Sequence, residues 1–175
     1  MNRITRQAVR AGVTFAAVIA LGAVAAPAAA DDEEQDCVLW VDEDVVVCVP
    51  HGEDLAAAFT EQTGLVRVPS GTEVEEDGFG PSAVYDLVTY YANASYGGSN
   101  FTLVRSTPCN GVTLTSVPNL GSYGLDNAVS SFFGWGSCTA RLYADTSYGG
   151  STYGYAALAS SLGAFDNVAS STRAR

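Results

Sequence analysis

Two signatures recur in this chain of 175 residues, in the same order each time, and they limit what it can fold into. Tyr91, Tyr96 and Gly98 spell aromatic, four residues, aromatic, one residue, glycine; Asp126-Asn127-Ala128-Val129-Ser130-Ser131 comes after them. Tyr143, Tyr148 and Gly150 repeat the first signature, and Asp166-Asn167-Val168-Ala169-Ser170-Ser171 repeats the second. A duplicated pair of signatures means a duplicated supersecondary unit, one copy burying the face that the other cannot bury alone. The spacing is uneven. Tyr91 and Tyr143 are 52 residues apart but Asp126 and Asp166 only 40, so the first unit carries 12 extra residues, among them Cys109.

The residues around the signatures read as short strands. Stretches 84–91, 101–104, 112–117, 132–135 and 138–143 are rich in Val, Leu, Thr, Phe and Tyr, with Gly, Ser and Asn between them. β-branched and aromatic runs bounded by turn residues at this spacing indicate an antiparallel sandwich or barrel. Two units of about four strands each suggest a pair of Greek keys that complete each other's sheets.

The chain ahead of the repeat is different. Arg3, Arg6 and Arg10 precede an apolar, alanine-rich run, and Ala28-Ala29-Ala30 offers a cleavage site, so residues 1–30 read as a secretory signal peptide. The apolar run is short of the roughly 20 residues that a membrane helix needs, and no later stretch is long enough to span one. Fifteen of the nineteen Asp and Glu residues fall in 31–80; beyond lie only Asp86, Asp126, Asp145 and Asp166. Residues 31–82 therefore form an acidic N-terminal segment, set off by Gly78-Phe79-Gly80-Pro81, and 83–175 a second region. Within the acidic segment, 31–36 reads as a frayed end and 37–49 as a hairpin turning at Asp42-Glu43-Asp44. Glu53 to Phe59 reads as a short helix with acids in its first turn and Gly64 as its stop, and 65–69 as a strand. The segment is a pro-segment, an extension packed on the domain, or a partner-binding arm.

Charge narrows the partners. The formal net charge is -11, and losing the three leader arginines makes it more negative still. With no lysine and five arginines left, a basic nucleic-acid face is not expected, nor is binding to an anionic membrane. An acidic surface attracts cations.

Cys37, Cys48, Cys109 and Cys138 remain after cleavage, an even number in an oxidising compartment, which points to two disulfides. Of the three possible pairings, segregation by region favours Cys37–Cys48 and Cys109–Cys138. A zinc site fits poorly, because His51 is the only histidine and no C-x-x-C spacing exists. His51 itself reads as a surface turn residue.

The duplicated pattern resembles the βγ-crystallin family in its microbial, calcium-binding form. Tyr91/Tyr96/Gly98 and Tyr143/Tyr148/Gly150 match that family's hairpin signature, and the two Asp-Asn-x-x-Ser-Ser stretches match its calcium signature. The resemblance covers about residues 84–175 and implies an all-β, βγ-crystallin-like double Greek-key antiparallel sandwich, here with a small acidic N-terminal extension. It also implies Ca²⁺ as the ligand, with each site mixing residues of both units. Ala128 carbonyl and Ser130 hydroxyl would join Asn167 and a carbonyl of the Tyr143–Tyr148 loop. Val168 and Ser170 would join Asn127 and a carbonyl of the Tyr91–Tyr96 loop. Asp126, Ser131, Asp166 and Ser171 would brace the loops. The chemistry is compatible: Ca²⁺ takes six to eight oxygens from carboxylates, amides, carbonyls and water.

An enzyme is hard to build from these residues. The lone His51 lies far from any suggestive Ser or Cys, and no P-loop, H-E-x-x-H or nucleophile elbow is present. The expectation is a secreted, non-enzymatic, calcium-binding module that is structural or ligand-binding in role. The alternative is a secreted peptidase inhibitor acting on an extracellular protease, because some microbial metalloproteinase inhibitors share the crystallin fold.

Overall fold

The structure, a computed structural model, describes residues 34–74 and 82–175. The signal peptide, the turn at 78–81 and the acids at 31–33 and 75–77 lie outside the described residues. In chain order the elements are β1 (Gln35–Trp40), β2 (Val45–Pro50), α1 (Leu55–Thr63), β3 (Val66–Pro69), β4 (Ala83–Asn93), β5 (Gly97–Arg105), β6 (Thr115–Val117), β7 (Ser131–Gly134), β8 (Ala140–Tyr143), β9 (Thr152–Ala156), β10 (Leu158–Ala159) and β11 (Ser171–Ala174).

Two sheets form. One runs β10-β7-β4-β5-β1-β2, with β3 beside the first half of β4; the other runs β6-β11-β8-β9. Each repeat sends its third strand across: β6 of the first unit joins the second sheet, and β10 of the second unit joins the first. The exchange follows from burial, since each sheet is closed by a strand that its own unit cannot supply. Between the sheets lie Leu39, Leu87, Tyr90, Phe101, Leu103, Phe132 and Leu142, each 1% exposed or less. The Tyr90 hydroxyl meets Thr172 Oγ1 at 2.7 Å across this core. Burial drives the Tyr90 pKa far up, so the phenol stays protonated.

The acidic segment is woven into the first sheet. β1 pairs antiparallel with β2 and parallel with β5, and β3 pairs parallel with β4. Alternation places Leu39, Phe101 and Leu103 toward the second sheet, and Val38, Val84 and Val104 on the opposite face. Leu55 and Phe59 of α1, together with Val47, cover that opposite face. A sheet buried on both faces explains why Val38-Leu39 is an unbroken apolar run instead of an alternating one.

Several local expectations change. The helix starts later and runs to Thr63; Asp54 accepts a hydrogen bond from Ala57 N as its N-cap, and the first turn contains no acid. Gly64 ends it at φ 74°. The strand expected over 112–117 begins only at Thr115, because Asn110 Oδ1 accepts from the N–H groups of Val112 and Thr113 and holds a turn there. Asp36 is not frayed: it is 6% exposed and accepts hydrogen bonds from Asn100 N and Gly52 N, while His51 Nδ1 lies 2.8 Å from it. Both disulfides join the cysteines that segregation favours, Cys37–Cys48 across the β1–β2 pair and Cys109–Cys138 between the longer loop and the start of the second unit.

Candidate metal centre

The two hairpins that carry the aromatic-glycine signature are built alike. Tyr91 and Tyr96 meet edge to face at 5.7 Å, and Tyr143 and Tyr148 at 5.6 Å. Between each pair the chain turns through left-handed residues, Ser95 and Tyr96 at φ 59° and 62°, Ser147 and Tyr148 at φ 55° and 66°. The closing glycine is required in both. Gly98 and Gly150 sit at φ 70° and 71°, and a Cβ would lie 2.6 Å from Asn93 Nδ2 in one and 2.7 Å from Asp145 Oδ2 in the other.

The last serine of each second signature locks onto its own hairpin. Ser131 Oγ donates to Asn93 O at 2.6 Å and accepts from Tyr96 N at 3.1 Å. Ser171 Oγ donates to Asp145 O at 2.6 Å and accepts from Tyr148 N at 3.0 Å. Both serines are fully buried.

The middle of each second signature reaches across to the other unit. Asn127 N donates to Ala169 O and Asn167 N to Val129 O, both at 3.0 Å, with the two asparagines at φ 54° and 55°. Asparagine tolerates this left-handed region better than most residues. Each asparagine therefore abuts the residue just before the other unit's Ser170 or Ser130. Ser130 Oγ donates to Asn167 Oδ1 at 3.4 Å, a long bond between two oxygens from different units. Asp126 Oδ2 accepts from Asn127 Nδ2 at 3.2 Å, and Asp166 Oδ2 from Asn167 Nδ2 at 3.5 Å. The acids thus engage the amide nitrogens of both asparagines, and Asn167 Oδ1 meets Ser130 of the other unit.

Oxygen donors collect here with little charge. Ser130 and Ser170 are 5% and 7% exposed. Among the described residues, none of the turn and loop backbone hydrogen bonds uses the carbonyl of Ala128 or Val168. Among the described residues no three or more His, Cys, Asp or Glu side chains are grouped so that they could hold a metal ion. A hydroxyl, an amide oxygen and free carbonyls are the donor set of a hard cation, so the residues fit Ca²⁺ and offer nothing to a soft metal.

Ser130 N donates to Tyr91 O and Ser170 N to Tyr143 O, so the backbone of each serine lies beside the hairpin of its own unit. The reason is the ladder: Ser131 pairs with Tyr91 and Ser171 with Tyr143, which fixes the neighbouring serine at the same hairpin. Only the asparagines cross over. No motif spacing could reveal this, because it depends on which strand each signature's last residue joins.

No protein-family model and no curated protein matches this chain. Solved structures of similar fold do. A βγ-crystallin domain from Flavobacterium johnsoniae is 26% identical over 51% of this chain and 94% of its own, with a TM-score of 0.40. A βγ-crystallin from an archaeon is 27% identical over 50% of this chain and 95% of its own, with a TM-score of 0.36. The N-terminal domain of protein S is 22% identical over 51% of this chain and 94% of its own, with a TM-score of 0.41.

Proposed function

We propose that this chain is a secreted, non-catalytic, calcium-binding module of βγ-crystallin type, structural or ligand-binding in role and stabilised by Ca²⁺. The carrying observation is the approach of Ser130 Oγ to Asn167 Oδ1 from opposite units, beside carbonyls that no loop amide uses. Asn127, Ala128, Ser130, Asn167, Val168 and Ser170 would supply the oxygens. Asp126 and Asp166 orient the asparagines, and Ser131 and Ser171 hold the hairpins. When bound, the cation supplies cross-linking between the two units, not chemistry on a substrate. Secretion is supported by the two disulfides, which persist in oxidising compartments. Among the described residues no helix is long and apolar enough to cross a membrane.

Few carboxylates mean weak charge compensation, and a dissociation constant of about 10⁻⁴–10⁻³ M is expected for an extracellular site of this kind. A ligand that binds only the folded state at 100 times its dissociation constant adds about 2.7 kcal/mol. The test is thermal unfolding in calcium and in a chelator. A rise in midpoint with calcium that vanishes in Ser130→Ala/Ser170→Ala supports the reading; an unchanged midpoint, with no heat of calcium binding, overturns it.

The second reading, a peptidase inhibitor, is favoured by one feature. Val112 and Leu114 are 81% and 46% exposed on a loop that Cys109–Cys138 anchors and Asn110 stiffens. Inhibition of a thermolysin-like or subtilisin-like enzyme that is lost in Val112→Asp supports it. No inhibition at micromolar protein removes it.

A further inference from the structure

The outer faces of the two sheets differ. The first is covered in part by α1, while the second carries arginines that have no acidic partner. Arg141 of β8 and Arg173 of β11 stand directly opposite each other in register. Arg175 follows on the same face, two residues along. Tyrosines are interleaved with them: the Arg173 guanidinium carbon lies 3.9 Å from the Tyr148 ring centroid, that of Arg175 4.0 Å from Tyr155, and that of Arg141 5.3 Å from Tyr143. Tyr155 reaches this face because a register shift in the β8–β9 ladder turns it away from Tyr153, which packs in the core.

Three observations say that the face is unfinished. Like charges directly opposed across strands destabilise a sheet, and the ion pairs of the described residues are His51–Asp36 and Arg67–Asp86, with none at Arg141, Arg173 or Arg175. Arg141 Nε and Arg173 Nε are buried without a hydrogen-bond partner. The other two described arginines are engaged, Arg67 with Asp86 and Arg105 with Thr107 O, Pro108 O and Thr115. Stacking on tyrosine fixes the guanidinium planes but satisfies none of their N–H donors. Arg141 Nη2 donates to Thr152 Oγ1 at 3.3 Å, its one side-chain bond among the described residues, and the three arginines after residue 30 that meet neither a carboxylate nor a backbone carbonyl all sit on this one face of a chain whose net charge is -11.

We infer that the Arg141–Arg173–Arg175 face with the half-buried Tyr148 and Tyr155 is a docking surface for a linear polysaccharide that carries carboxylates. Guanidinium forks match carboxylates bidentately. Opposed arginines on adjacent strands stand roughly 5 Å apart and alternate residues along a strand roughly 7 Å, which makes a triangle of positive charges for carboxylates repeated along a polymer. Sugar rings present C–H groups to the part of Tyr148 and Tyr155 that the stacked guanidinium groups leave uncovered. A duplex nucleic acid fits less well, because it packs one charge into about every 1.7 Å of its axis, denser than one carboxylate per sugar ring, against a chain of net charge -11.

The test titrates sodium polygalacturonate into the full chain at low salt in a chelator, so that the calcium loops play no part. Saturable binding that weakens with salt is expected. Arg141→Gln and Arg175→Gln should each weaken it about tenfold, with Arg141→Lys between. Thermal midpoints verify folding, and Arg175, which lies outside the strands, keeps the test open if Arg141→Gln does not fold. Val46→Thr, at an exposed position of the first sheet, should bind as the parent does. Absence of binding, equal binding of neutral dextran, tighter binding of a single-stranded oligodeoxynucleotide, or unchanged binding by the folded arginine variants overturns the inference.

Discussion

Replacing Ser131 by alanine separates a residue that holds the hairpin from one that contacts the cation. The Ser131 hydroxyl is buried and makes two bonds, to Asn93 O and from Tyr96 N. Removing it strands one acceptor and one donor, each worth about 1–3 kcal/mol when desolvated. Asn93 is exposed, so water recovers part of this, and about 2–4 kcal/mol should remain. For a domain of this size that lowers the midpoint by roughly 5–15 °C. The Ser130 hydroxyl makes only the 3.4 Å contact to Asn167, so Ser130→Ala should cost less than about 1 kcal/mol without calcium. It should instead abolish most of the calcium-dependent gain. Urea denaturation of both variants, each with calcium and with a chelator, gives the four numbers. If Ser131→Ala costs under about 0.5 kcal/mol in chelator, or if Ser130→Ala keeps the full calcium increment, the division between brace and ligand fails.

Phe59→Ala should cost about 3–5 kcal/mol, because the ring is fully buried between α1 and the first sheet; a loss under about 1 kcal/mol by denaturant melt would mean that the helix does not pack there. Arg67→Met leaves the buried Asp86 carboxylate without its 2.9 Å partner and should cost about 3–5 kcal/mol at neutral pH. Burial already raises the Asp86 pKa and Arg67 opposes it, so the folded variant binds a proton at higher pH than the unfolded chain. Its deficit should therefore shrink as pH falls through the folded pKa, and a deficit independent of pH refutes this. The hydrogen bond that the His51 ring donates to the Asp36 carboxylate raises the His51 pKa, so this contact stabilises the fold below the unfolded pKa of about 6.5 and is lost as pH rises through the folded value. His51 is the only histidine, and its NMR titration should move to lower pH in Asp36→Asn; an unchanged curve removes the contact.

The repeat was legible in the sequence because its rules are local. Gly98 and Gly150 mark a left-handed backbone, Asn127 and Asn167 tolerate one, and the cysteines segregate by region, all within a few residues of chain. The same locality made the double Greek key and the donor stretches readable as types. What tertiary structure alone decided is every relation between distant strands. Parallel pairing of β1 with β5 and of β3 with β4 draws the acidic segment into the first sheet, and no periodicity distinguishes that from a detached extension. The ladder sets Ser130 beside Tyr91, while the opposite unit's Asn167 completes the loop. Arg141 and Arg173 are 32 residues apart in sequence, and only the order β6-β11-β8-β9 makes them neighbours on one face. Turn conformation is set by the residue that adopts it. Strand order is set by which apolar faces bury best together, a property of the whole chain.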